Sequence, residues 1–110
     1  MKIINNGDVS RLVNQREVTN ALEVAYRDYF AGRAVCRPRI DIEIPTSCPE
    51  QFFRWGTMEG GSTGKYFAIR CKSDIIYHAR SESNLTQEKY CITPGTFCGF
   101  ILLFSVENGE

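Results

Sequence analysis

The sequence has one histidine, His78, and one tryptophan, and none of its five cysteines is spaced Cys-x-x-Cys. A structural zinc site wants such pairs or further histidines, so Cys36, Cys48, Cys71, Cys91 and Cys98 do not make one. An odd cysteine count, with no apolar leader in the opening residues, also argues against a secreted disulfide framework. The expectation is reduced thiols, mostly packed as small apolar groups, in a cytoplasmic protein. Charge of one sign is missing too, because thirteen Lys and Arg balance thirteen Asp and Glu. No overall field draws the chain to nucleic acid or to an acidic membrane. No apolar run is long enough to span a bilayer, and the longest, Phe97 to Val106, reads as a buried strand. No serine or cysteine stands in a triad context and no carboxylate pair suggests glycosidase work, so no catalytic residue is assigned.

What remains is an ordinary soluble composition: 110 residues, 43% hydrophobic and 24% charged, enough for one domain with one modest core. Residues Lys2 to Asn5 suit a short strand, with Asn6-Gly7 as a turn and Asp8 as the cap of a short helix. Asn14 and Glu17 have the spacing of a capping box. The helix they start places Val18, Ala21, Leu22, Ala25 and Tyr29 on one expected buried stripe, pairs Glu23 with Arg27, and stops at Gly32.

Beyond Gly32 the period becomes two. Ile40, Ile42 and Ile44 alternate with Arg39, Asp41 and Glu43 as a half-buried strand. Gln51 to Thr57 suits a second strand, and Glu59 to Gly64 a turn. In Lys65 to Lys72, Tyr66, Ala68, Arg70 and Lys72 share a face opposite Phe67, Ile69 and Cys71. Asp74 to Lys89 reads as an exposed, irregular excursion that includes His78. Pro94-Gly95 reads as a turn, Gly99 to Val106 as the last strand, and Glu107-Asn108-Gly109 as a hairpin signal with nothing after it. This pattern predicts an α+β fold, with two N-terminal helices packed on a mostly antiparallel or mixed sheet of about four to six strands.

Three stretches, in order, resemble the N-terminal part of the substrate-binding and dimerisation domain of the ornithine cyclodeaminase/mu-crystallin family. They are Val24 to Val35 followed by Pro38-Arg39-Ile40, then Phe67 to Ser73, then Thr96 to Phe104 with Asn108-Gly109-Glu110. The resemblance implies kinship with NAD(P)-dependent enzymes that act on amino acids or cyclic imines. In such enzymes this region supplies the substrate pocket and, by joining sheets from two subunits, a homodimer. The cofactor belongs to a separate Rossmann domain, whose Gly-x-Gly-x-x-Gly turn Gly56, Gly60, Gly61 and Gly64 do not form. The expectation is therefore a single partial domain over residues 1–110, with no cofactor in this chain and no activity alone. The alternative is a free-standing α+β module that dimerises and binds a small carboxylate or nothing.

The same resemblance implies the site residues. Arg39 matches the family arginine that clamps a substrate carboxylate, a task suited to the paired donors of a guanidinium. Its plain structural role would be a strand-edge ion pair with Asp41 or Glu43. Arg70 stands where the family commonly has lysine; it can bind an anion but is a poor proton shuttle. Lys72, on the same strand face, is the candidate replacement amine. Thr96 matches a position near the substrate, and Met58 resembles the methionine of a Met-Pro segment, with Glu59 in place of the proline. Arg39, Arg70 and Lys72 are expected to converge on one surface, neutralised either by carboxylates of the chain or by a bound anion.

Overall fold

The first helix begins where a turn was expected. Asn5 accepts from the Asp8 amide and Asp8 accepts from the Asn5 amide, both at 3.0 Å, a reciprocal cap that starts α1 (Asn6–Leu12). Asn6-Gly7 is thus the first turn of the helix, and residues 2–5 form no strand. The computed structural model describes residues 2–81, 84–91 and 96–110. Asn14 and Glu17 make the expected second capping box for α2 (Gln15–Phe30). At its far end Gly32, at φ +71°, lets the Arg33 amide donate back to Asp28 O at 2.8 Å and its own amide donate to Tyr29 O at 3.1 Å. That is a Schellman ending, which needs a residue free to adopt positive φ.

Five strands follow: β1 (Ala34–Pro45), β2 (Gln51–Ser62), β3 (Tyr66–Ser81), β4 (Asn84–Tyr90) and β5 (Cys98–Ser105). Every pairing is antiparallel. The path runs β1-β2-β3-β4, and β5 also pairs with β3. Strand β3 is the axis of the sheet. One side of it pairs with β2 along Phe67 to Tyr77; the other takes β5 along Tyr66 to Ser73 and β4 along Ile75 to Ser81. The two short strands therefore lie end to end, and the gap between them falls at Asp74.

The structure departs from the sequence pattern at three further places. The stretch from Asp74 onward is no irregular excursion, because β3 continues to Ser81 and turns back as β4. Glu59-Gly60-Gly61 lies inside β2, and the turn comes later, where the Lys65 amide donates to Ser62 O at 3.1 Å across Gly64, at φ +68°. Cys91 and Cys98 are paired in a disulfide, with Cα atoms 5.6 Å apart, while Cys36, Cys48 and Cys71 are free and only Cys71 is buried. The Pro94-Gly95 turn lies outside the described residues. After β5 the chain does turn, with the Gly109 amide donating to Ser105 O.

The helices stand at one end of the sheet. α1 packs against no other element, and α2 meets only β1 and β2. The expected buried stripe is exposed: Leu22 at 54% and Tyr29 at 51%, with Asp28 the one buried residue of α2. Strand β5 is equally open, Phe100 to Phe104 being exposed on both sides. Among the described residues the apolar core is Ile76 and Cys71. The accessible surface is 8933 Å² and the radius of gyration 17.6 Å, against roughly 6,200 Å² and about 13 Å for a compact folded chain of this length. No helix among the described residues is long and apolar enough to cross a membrane.

Candidate functional site

Register assigns each strand residue to one of two faces, because residues directly opposite in a sheet point the same way. Asp41 pairs with Gly56, Gly56 with Lys72, and Lys72 with Gly99. One step along, Met58 pairs with Arg70 and Arg70 with Ile101. Arg39 reaches the same face through an irregularity between Arg37 and Ile40, where Pro38 has no amide to donate to the ladder. Arg39, Met58, Arg70 and Lys72 thus share what we call the charged face.

Two glycines shape it. A Cβ on Gly56 would lie 2.6 Å from Asp41 Oδ1 and 3.1 Å from Arg39 Nη2, so the Arg39 and Asp41 side chains rest directly on this backbone. A Cβ on Gly99 would lie 2.9 Å from Cys71 O, so the strands approach closely there. Over Gly99 lies a pocket of about 250 Å³ walled by Arg70, Lys72, Phe97 and Ile101; Arg39 and Met58 share the face but do not line it.

The electrostatics separate the three cations. Arg39 Nε donates to Asp41 Oδ1 at 2.6 Å, the strand-edge pair that its structural role predicts. Lys72 Nζ stands 2.9 Å from Asp74 Oδ1 and 5.2 Å from the centroid of the Phe97 ring. Asp74 is 1% exposed, and neither of its oxygens accepts a properly aligned hydrogen bond among the described residues. Lys72 is therefore its charge partner at ion-pair distance, which is what makes so buried a carboxylate tolerable. Arg70 differs from both. Its Nη1 lies 3.6 Å from a sulfur, Met58 Sδ, and no carboxylate pairs with it among the described residues. Three cations face two carboxylates, leaving Arg70 as the group with unmet demand for an anion. Arg54, on the same face, is bound to Glu43 at 2.7 Å and adds nothing to this excess. Thr96 is exposed beside Phe97, and its carbonyl accepts from the Cys91 amide at 2.7 Å.

Sequence reasoning missed Asp74, Phe97 and the disulfide. Asp74 follows Arg70 and Lys72 at the same two-residue step, so reading β3 past Ser73 would have placed it on their face. His78 is likewise a strand residue on this face, half-buried and edge-on to Phe52 with ring centroids 5.0 Å apart, rather than an exposed loop residue.

The opposite face carries Ile40, Ile42, Ile44, Trp55, Phe67, Ile69, Phe100, Leu102 and Phe104 by the same register. A larger groove of about 420 Å³ opens there around Val35, Phe67 and Ile69. Its one cation, Arg37, is already bound to Glu59 through two 2.5 Å hydrogen bonds. Among the described residues no cluster of His, Cys, Asp and Glu could hold a metal ion. No protein-family model, no curated protein and no solved structure matches this chain.

Proposed function

We propose that this chain is a substrate-binding and dimerisation module of the kind found in NAD(P)-dependent ornithine cyclodeaminase/mu-crystallin enzymes, inactive by itself. It holds the carboxylate of an amino acid or cyclic imine on the charged face. What carries the reading is the pocket in which Arg70 has no carboxylate partner among the described residues while Arg39 and Lys72 share its face. Arg70 supplies the direct contact, its guanidinium buttressed by Met58. Lys72, paired with Asp74, forms the adjoining wall; Arg39, paired with Asp41, stands farther along the same face, and Thr96 adjoins the aromatic wall Phe97. The NAD(P) of the complete enzymes would sit on protein beyond this chain. Homodimerisation, in the cytoplasm, belongs to the same proposal and is supported by the roughly 2,700 Å² of surface beyond that of a compact chain, an area of the order that obligate interfaces bury.

The test is a titration of isotopically labelled protein with L-ornithine and L-alanine, and with putrescine and ethylamine, which lack the carboxylate. The amino acids should shift the signals of Arg70, Lys72 and Gly99, and the bare amines should not. Arg70→Ala should weaken binding by about tenfold or more, as loss of a charge-assisted contact does. Equal shifts with putrescine, or none with any of the four, would overturn the reading.

A further inference from the structure

We infer that the Cys91–Cys98 disulfide is a redox switch for the pocket on the charged face; the inference rests on the carboxylate reading above. The bond lies where such control could be exerted. Strand β4 ends opposite Ile75, where Tyr90 pairs, and β5 begins opposite Ser73, where Cys98 pairs. The disulfide therefore spans the gap that the two end-to-end strands leave at Asp74. Inside the same loop the Cys91 amide donates to Thr96 O, a second closure of the same ends. The next residue, Phe97, sets its ring over Lys72 Nζ, and Lys72 is the charge partner of the buried Asp74. Cys98 and Phe97 are themselves pocket walls beside Arg70 and Lys72, and Gly99 is its floor. One covalent bond thus fixes the start of β5, the aromatic wall and, through Lys72, the charge arrangement under the pocket.

Reduction removes that constraint. A thiolate of a dithiol reductant attacks one sulfur and forms a mixed disulfide, and its second thiol then displaces the protein sulfur. The S–S bond is lost, Cys91 and Cys98 take up two electrons and two protons, and the reductant leaves as its own disulfide. The start of β5 is then held only by its ladder with β3 and the single Cys91–Thr96 backbone hydrogen bond, neither covalent, and Phe97 is free to leave Lys72. In a reducing compartment such a pair is characteristically transient or sensing. Cys36 and Cys48 are exposed single thiols far from one another in sequence and provide internal controls.

The full chain is titrated with L-alanine before and after treatment with dithiothreitol, with thiols counted by mass after alkylation. Side-chain signals of Lys72 report ring-current contact with Phe97 in the same samples. Oxidised protein should bind, and reduced protein should bind about tenfold more weakly, an ordinary size for coupling between two events in one domain. The Lys72 signals should move towards solvent values on reduction. Cys91→Ser/Cys98→Ser should behave as the reduced form and ignore dithiothreitol, and Cys48→Ser should respond as the parent. If the double variant does not fold, the wild-type reduction series still decides. Equal affinity in both states with two additional thiols counted overturns the switch and leaves the carboxylate reading standing. No binding in either state overturns both. Unchanged Lys72 signals on reduction overturn the proposed route through Phe97.

Discussion

On one side of the sheet Arg39, Glu43, Arg54, Arg70, Lys72 and Asp74 are gathered around two glycines; on the other, alternate residues of the same strands are Ile40, Ile42, Trp55, Ile69, Phe100 and Leu102. The two faces fail to be complete in different ways. On the charged face Arg70 has no carboxylate partner among the described residues, and a small anionic ligand could supply one. On the apolar face no described element covers most of the surface. Trp55 and Phe100 approach each other, with ring centroids 6.2 Å apart, while Phe100 stays 53% and Ile42 56% exposed. That face asks for area, and area comes from another polypeptide surface. The difference separates the two halves of the proposal: ligand binding is read from one face, assembly from the other.

Neighbouring residues of β5 offer the strongest way to break this comparison. Leu102 points to the apolar face beside Ile69, and Leu103 to the charged face beside Ala68. Leu102→Asp would place a charge at the centre of the assembly surface and should raise the dimer dissociation constant by about 100-fold or more, the size of an interface hot spot. Leu103→Asp changes the same chemistry one residue on and should leave assembly within about threefold, as peripheral positions do. Sedimentation velocity across a dilution series measures both. Equal loss in the two variants would mean that the faces do not divide the work, and a monomeric parent at high micromolar concentration would remove the assembly half altogether.

How much of this was legible in the sequence differs between local and long-range features. The α2 cap at Asn14 and Glu17, its stop at Gly32 and the alternation in β1 and β3 are set by neighbours within a few residues, and they were readable. The common face of Arg70 and Lys72 followed from the two-residue period alone. Burial was not readable. Leu22 and Tyr29 have the spacing of a buried stripe, but a stripe is buried only if a partner surface lies against it, and α2 meets the sheet only at its end. The extension of β3 past Asp74 was hidden because the polar residues from Asp74 to Lys89 lack the apolar alternation that marks a strand; pairing with β2 and β4 holds them in place instead. The sequence also left Arg39 suspended between a clamp and a strand-edge pair. The structure shows the pair with Asp41, and the demand for an anion passes to Arg70.

A smaller effect sharpens the comparison on the ligand side. Asp41→Asn removes the carboxylate from Arg39 and should add a second unsatisfied guanidinium to the charged face. Carboxylate binding should tighten by about fivefold, the value of a charge-assisted hydrogen bond discounted for a partly exposed pair. The matched change on the opposite face is Glu59→Gln, which releases Arg37 beside the apolar groove. It should create no comparable affinity, because no second cation shares that face with Arg37 among the described strand residues. Calorimetry with L-alanine separates the two. Tighter binding in Glu59→Gln but not in Asp41→Asn would put the ligand on the wrong face.

The last and smallest effect belongs to the junction that joins α2 to the sheet. Asp28 accepts from Lys65 Nζ at 2.7 Å and from Arg33 Nε and Nη2 at 3.1 and 2.9 Å. The Lys65 hydrogen bond, and then that of Arg33, holds its carboxyl below the ordinary value of 3.8, with burial opposing them. Because the folded state depresses this pKa, the stabilisation is fully present above the unfolded value and is lost as pH falls through the folded one. Asp28→Asn should therefore speed hydrogen exchange at the Arg33 and Thr63 amides at neutral pH; these bond to Asp28 O and Arg33 O at the same junction. The difference from wild type should shrink as the pH drops below about 4, once the wild-type carboxyl protonates as well. Signals of Leu102 on one face and Gly99 on the other should not follow this titration. A variant whose exchange rates track wild type from neutral to acidic pH would show that the three-way ion pair does not hold the helix. Exchange that spread to both faces would show instead that the junction supports the sheet as well as α2.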